Sequence, residues 1–460
     1  MTTSDHSIDD APLTAFHKRL TAYSSGGPFI DGYALTIIGI ALITLEPAMG
    51  LSVTEIGLVG TASLVGVFAG GGIFGYVTDK VGRQVMYIAD LLVLAATSVL
   101  TAFATDVWQI VVLRFLLGVA VGADYPIATS LLAEFLPRRQ RGKMIGATFV
   151  VWAVGAAVAY LVGFLLRDFG PDAWRLMLAS PAIFAVITLL LRLGTPESPR
   201  WLLSKGRVEE ARAAIKKVYG DAYDITDLPD EQPAETSYWS VFRGPYLKRT
   251  VFVAVFWTAQ VIPMFAVYTF APGLLESFGL TGDANTYGGS ALIALLFVVG
   301  GLPGLYLVEA IGRKRLLLWS FAFVGIALTL PAVIPGVPAW FFFAALAAFA
   351  VGSGASNFLQ VVYPNEIFPT EVRATAVGVG TALSRIGAAI GTFLMPFALQ
   401  FGVSIALLVG AAITAIGFVI TLVWGIETKG RSLSDTASSH GNDEPQKSTT
   451  EPQQPIETRL

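Results

Sequence analysis

Asp79 to Gln84 reads DKVGRQ, and 230 residues further on Glu309 to Arg315 reads EAIGRKR. Asp79, Gly82 and Arg83 thus recur as Glu309, Gly312 and Arg313. A second pair keeps almost the same interval: EFLPRRQR, Glu134 to Arg141, returns 232 residues later as EIFPTEVR, Glu366 to Arg373. Half the chain separates the members of each pair, so the sequence is a tandem repeat of one unit.

The stretches between these polar islands say what the unit is. The chain has 460 residues, of which 54% are hydrophobic and 14% charged, with a mean hydropathy of +0.66. Soluble proteins are about a quarter charged, so this chain is too poor in charge to cover a water-facing surface. Twelve segments reach the roughly 20 apolar residues that a bilayer crossing needs. They must be helices, because hydrocarbon offers an extended backbone no hydrogen-bond partners. The expected organisation is a tail over 1–19, six helices over 20–194, a linker over 195–248, six helices over 249–425 and a second tail over 426–460. In the linker, Val208, Ala211, Ile215 and Val218 recur at helical spacing, which predicts short amphipathic helices. The last segment, rich in Ser, Thr, Gln and Pro, is expected to lack a fixed structure.

Of the 30 Lys and Arg residues, 26 fall in tails, loops and helix ends on the side of the N-terminus. Arg167 and Arg175 lie on the other side, and Arg114 and Arg385 lie within spans. That bias predicts cytoplasmic termini on a multi-pass protein, and the short external loops suit a bacterial inner membrane. The polar N-terminus lacks the pattern of a secretory signal, so the first helix is expected to be retained. With no cysteine and three histidines (His6, His17, His440), all in the polar ends, thiol chemistry and a histidine metal site are excluded. A net charge of −3 offers no nucleic-acid face. No nucleophile–base pair or cofactor loop is visible, so neither enzymatic activity nor a cofactor is expected.

Ionisable groups inside spans cost roughly 2.5–3.5 kcal/mol each and are functional candidates by default. Four stand out: Asp31, Arg114, Asp124 and Arg385, with Asp90, nearer a helix end, as a further candidate for proton coupling beside Asp31, Arg114 and Asp124. Arg114 and Asp124 open and nearly close RFLLGVAVGADYP (114–126), yet ten residues put them roughly 15 Å apart, too far to pair. Gly118 and Gly122 relieve one ridge of this helix, and the first span is the expected neighbour. Counted from the predicted helix ends, Asp31 lies about 17 Å deep and Asp124 about 15 Å. The two acids are therefore expected side by side, with one holding a proton and Arg114 steadying the other. Arg385 has no acid in its own helix. A substrate carboxylate or phosphate, bound bidentately, would complete it.

The repeated loops, the RxxxG that starts at Arg114, PESPR (196–200) and ETKG (427–430) together resemble the major facilitator superfamily across about residues 20–430. Ile426 stands where that last motif normally begins with proline. The resemblance implies an all-α membrane fold of twelve transmembrane helices as two six-helix repeats, which rock about a midplane substrate site. It also implies a gate in which Arg83 meets Glu134 and Arg313 meets Glu366, supported by Asp79, Gly82, Arg141, Glu309, Gly312 and Arg373. GADYPIATSLLAEF (122–135) resembles the metabolite:proton symporters, and its core resembles the phosphate:proton symporters. That implies proton movement through Asp31, Arg114 and Asp124. Those relatives often carry DGYD in span 1, whereas this chain has DGYA, with Ala34 in place of the second acid.

The serine, arginine and glycine around Arg385 resemble span 11 of the organic anion transporters. PESPR and ETKG are shared with sugar porters, but the stretch QVIPMFAVYTFAP (260–272) has lost their hydroxyl-binding Ser, Gly and Asn. Val361 likewise stands in place of their span 10 tryptophan. Trp257, Phe265, Tyr268, Phe270, Phe358 and Tyr363 offer aromatic walls instead. The expected substrate contacts are Arg385, Tyr125, Trp257, Gln260, Tyr268, Asn357, Gln360 and Tyr363. The function so read is proton-coupled symport of a small organic anion, an aromatic carboxylate being suitable, by a monomer whose partners are the anion, protons and the bilayer. Span 5 lacks the Gly-Pro motif of drug antiporters, which favours symport over export. The alternatives are a sugar, polyol or phosphate symporter, and a substrate sensor that keeps the fold without transporting.

Overall fold

The computed structural model describes residues 8, 11–228, 238–282, 284–368 and 370–429. The side chains of Asp79, Tyr125, Glu134, Arg141 and Arg373 lie outside the described set, as does the tail from residue 430. Among the described residues, twelve segments are long and apolar enough to cross a membrane. In the first half they are α1 (Ala15–Met49), α2 (Val53–Val81), α3 (Arg83–Thr101), α4 (Val107–Phe135), α5 (Arg138–Leu166) and α6, in two pieces, Ala173–Ala179 and Pro181–Arg192. The second half repeats them as α7 (Gly244–Ser277), α8 (Gly289–Ile311), α9 (Arg313–Val333), α10 in two pieces, Ala339–Asn357 and Leu359–Ile367, α11 (Thr370–Gln400) and α12 (Val403–Trp424). Pro181 occupies the first helical position of its piece, where a missing N–H costs nothing, so the break in α6 falls just before it. We call the end of the bundle where α1 begins and α12 finishes the terminal side, and the opposite end the far side.

The expected boundary of the first span is corrected by five residues: α1 starts at Ala15. His17 therefore belongs to a helix and is buried, with its ring 5.3 Å from that of Tyr219. The linker forms helices Pro199–Ser204 and Val208–Tyr219. The second buries Ala211, Ala214, Ile215 and Val218, while Val208 stays exposed.

The bundle's outer surface is apolar, as a lipid-facing surface must be. Leu190, Leu295, Leu302, Val419 and Val423 are exposed. Exposed aromatic side chains gather at both ends: Phe103, Trp108, Phe169, Trp340 and Phe401 on the far side, Tyr306, Trp319 and Trp239 toward the terminal side. Rings at these two levels suit the headgroup layers of a bilayer.

Gly118 and Gly122 do bring a neighbour close, but it is α2 and not α1. A Cβ on Gly118 would sit 2.1 Å from the Ser63 carbonyl oxygen, and one on Gly122 would sit 2.3 Å from that of Val67. The C-terminal half repeats this seam between α8 and α10, where Gly354 meets the Phe297 carbonyl. Small residues let backbones approach where lipid supplies no hydrophobic driving force. Gly118→Val is expected to cost about 1–3 kcal/mol through overpacking, read as a fall in melting temperature of the detergent-solubilised protein.

The repeated loops have a structural reason. Gly82 (φ +109°) and Gly312 (φ +96°) both adopt backbone angles that favour glycine. Each precedes a helix whose first N–H groups are taken by a distant carboxylate. Glu197 accepts from the N–H groups of Arg83 and Gln84 at 3.1 and 3.0 Å, and Glu427 accepts from Arg313 at 2.9 Å. An acid at a helix N-terminus satisfies orphan donors and complements the dipole. PESPR and ETKG supply these two acids, one per half.

The halves meet where α2 packs on α11, α5 on α8 and α1 on α7. Two hydrogen bonds cross this seam toward the far side. Tyr160 donates to the Tyr268 carbonyl, and Thr61 donates to the Ala389 carbonyl at 3.3 Å. On the terminal side Arg313 reaches Glu366 with Nε and Nη2, at 3.0 and 2.8 Å, and Glu309 at 2.9 Å. That bond ties α9 to α10 within one half.

Candidate functional site

Five helices surround a cavity of about 40 Å³ between the halves. Pro28 and Asp31 come from α1, Thr148 and Trp152 from α5, Met264 and Phe265 from α7, Asn357 and Gln360 from α10, and Arg385 from α11. That volume admits only a few waters, so a metabolite enters only when the halves part. The break in α10 at Asn357–Phe358 sets the Asn357 and Gln360 amides at the wall, where Gln360 donates to Asn357 at 2.8 Å.

One acid and one base face this space from opposite halves. Asp31 has an oxygen, Oδ1, that is buried with no hydrogen-bond partner, and Arg385 has an Nε in the same condition. No ion pair joins the two side chains, which face the same cavity with Trp152 on its wall. The Arg385 guanidinium lies 5.6 Å from the centre of the Phe265 ring, whose edge meets Trp152 at 6.1 Å. The wall is thus aromatic on two sides, with one cation and one anion incompletely satisfied.

The other expected site residues fall in different places. Asp124 does not stand beside Asp31 with Arg114. It pairs with Arg192 at 2.5 Å, and the same guanidinium nitrogen lies 3.9 Å from Asp90. A Cβ on Gly27 would fall 1.5 Å from Asp124 Oδ2, so Asp124 is level with Gly27, four residues before Asp31. The earlier start of α1 explains the discrepancy, because Asp31 lies about one turn deeper than the predicted helix end implied. Arg114 is buried and donates to the Val59 and Ala34 carbonyls at 3.2 and 3.4 Å. Where the resembling symporters carry a second acid, the backbone of Ala34 meets the guanidinium instead.

Gln260 lies behind the wall, donating to Ser356 at 2.8 Å in a small pocket that shares Asn357 and Met264 with the cavity. Tyr268 is buried and does not line the cavity, its ring lying 6.2 Å from that of Trp152 in a T-shaped contact. Trp257 is buried against Gly380. Tyr363 is fully buried, donates to the Ile426 carbonyl and packs on Phe252 and Phe256. Neither Trp257 nor Tyr363 lines the cavity in this structure, and the buried Trp257 Nε1 has no hydrogen-bond partner. Tyr125, expected at the substrate, lies outside the described side chains.

Trp152 and Arg192 were not expected. Trp152 carries no charge to draw attention in an apolar span. Arg192 was counted with the loops on the terminal side because it ends its helix, although the apolar run VITLLLRLG (186–194) around it was the available signal.

Residues 11–438 match the family model described as sugar (and other) transporter. The chain is 42% identical over 434 residues to the putative metabolite transport protein YaaU of Escherichia coli, covering 94% of this chain and 97% of that one. It is 38% identical over 447 residues to the inner membrane metabolite transport protein YgcS of the same organism, covering 96% and 99%. Among solved structures, the xylose transporter XylE of E. coli in an inward open conformation superposes with a TM-score of 0.77 at 21% identity, over 91% of this chain and 99% of that one. Another XylE structure names it a proton:xylose symporter of the major facilitator superfamily. With twelve spans in two repeated halves about a central cavity, the chain belongs to the sugar (and other) transporter family of the major facilitator fold, a family of transporters and not of enzymes.

Proposed function

We propose that the protein is a secondary transporter that carries a small organic anion together with a proton by alternating access. The observation that carries the reading is the pairing of Asp31 and Arg385 across one cavity, each with a buried, unsatisfied polar atom. An anion bound bidentately to Arg385 cancels the attraction of that cation for the Asp31 carboxylate across the cavity. A carboxylate left beside a bound anion in a dry space binds a proton. Anion and proton are thereby loaded together, and the halves close around a site whose net charge has not changed. Trp152 and Phe265 favour a planar, partly apolar acid. The name of XylE as a proton symporter supports the coupling ion, and the name of YgcS supports an inner-membrane location. The lysine and arginine bias supports cytoplasmic termini.

A second reading, symport of a sugar or polyol, is favoured by the Asn357 and Gln360 amides at the wall and by the family. Asp31→Asn separates coupling from binding. In reconstituted vesicles this variant is expected to lose uptake driven by a pH gradient while substrate exchange at equal pH continues. Undiminished gradient-driven uptake would remove Asp31 from the coupling step.

A further inference from the structure

A second group of ionisable side chains lies outside the cavity, buried between α1, α3, α4 and α6. The side chains of Arg192, Asp90 and Asp124 are 0%, 2% and 7% exposed. Asp124 Oδ1 takes the Arg192 Nη1 hydrogen bond at 2.5 Å, and Asp90 Oδ2 stands 3.9 Å from the same nitrogen. The two carboxyls thus flank one guanidinium nitrogen. Asp90 Oδ1 accepts the Leu91 N–H at 2.6 Å, whereas Asp90 Oδ2 and Asp124 Oδ2 are buried with no hydrogen-bond partner. The guanidinium is stacked 3.6 Å from the Tyr87 ring centre, and the Tyr87 hydroxyl is bonded to Ser24 at 2.7 Å.

Two carboxyls and one guanidinium leave an excess negative charge if both acids ionise. Like charges in contact away from water cannot both persist. A single proton between the two acids resolves both faults, because it neutralises the excess and gives the orphaned oxygens a donor. We propose that Asp90 and Asp124 share one proton held in place by Arg192, forming a proton-binding site separate from the substrate cavity. The groups facing it are Tyr87 and Asp90 from α3, Asp124 from α4, Arg192 from α6 and, from α1, Ser24 and the Gly27 backbone, with Asp31 one turn beyond. The seat of α1 on this site places a second proton within a turn of the cavity acid.

Infrared spectroscopy of the purified protein in lipid nanodiscs reads this proton directly, through the carbonyl stretch of a protonated carboxyl at neutral pH. It needs no substrate, so it stands or falls apart from the transport reading. Asp90→Asn leaves a single acid that ionises against Arg192, and the band is expected to vanish. Asp124→Asn does the same with Asp90 as the remaining acid, and serves if the first variant folds poorly. Asp31→Asn is expected to leave the band in place. A band that survives in either Asp90→Asn or Asp124→Asn, or that disappears in Asp31→Asn, overturns the proposal.

Discussion

Replacing Arg192 by methionine is expected to lower the stability of the folded protein by about 3–5 kcal/mol, the cost of leaving buried carboxyls without their cation. Methionine keeps much of the apolar stem, so the loss reports the charge and not a cavity. The guanidinium is fully buried, bonded to Asp124, beside Asp90 and stacked on Tyr87. Its removal strands groups contributed by two other helices of the N-terminal half, α3 and α4. Adding Asp90→Asn and Asp124→Asn to the same chain removes the unpaired charge and is expected to recover part of the loss. Thermal unfolding in detergent measures both. A melting temperature unchanged by Arg192→Met alone would show that the cluster is neither dry nor tightly paired.

Arg385→Ala is expected to weaken binding of an anionic substrate by about 2–5 kcal/mol, which is roughly 30-fold or more in affinity. Among the described residues the cavity has no other cation at its wall, and apart from the acid Asp31 its polar groups, Asn357, Gln360, Thr148 and the Trp152 indole, are neutral. Lysine at the same position is expected to restore only part of the affinity, since an ammonium cannot bind a carboxylate bidentately. Binding of a neutral sugar should fall far less in either variant. An equal loss for sugar and acid would make Arg385 a structural residue.

The architecture was legible because two loops and their acids recur at a fixed interval, and because apolar length alone decides what crosses a bilayer. Glu197 and Glu427 show why those motifs persist in both halves, as each caps a helix across more than a hundred residues of chain. Partners were not legible. Depth along a helix was counted from a predicted start, and five residues of error at α1 moved Asp31 by more than a turn relative to Asp124. Facing direction was lost for the same reason: Gly118 and Gly122 announce close packing without naming α2. Arg192 shows the sharper limit. A basic residue at a helix end reads as a topology signal, and only three-dimensional packing reveals that this end is buried under α3 and α4. Asp31 and Arg385 came from one-dimensional reasoning about buried charge, yet nothing in the sequence placed them on one cavity, since their helices belong to different halves.

Calorimetric titration of the purified protein with benzoate and a panel of other monocarboxylates, repeated in buffers of different ionisation enthalpy, is the most direct test of coupled anion and proton binding. Linkage between the two makes binding take up about one proton per anion. That uptake should disappear in Asp31→Asn, and the binding itself should be lost or severely weakened in Arg385→Ala. Carboxylate binding with no proton exchange, or tight binding of a sugar alone with none, would contradict the account.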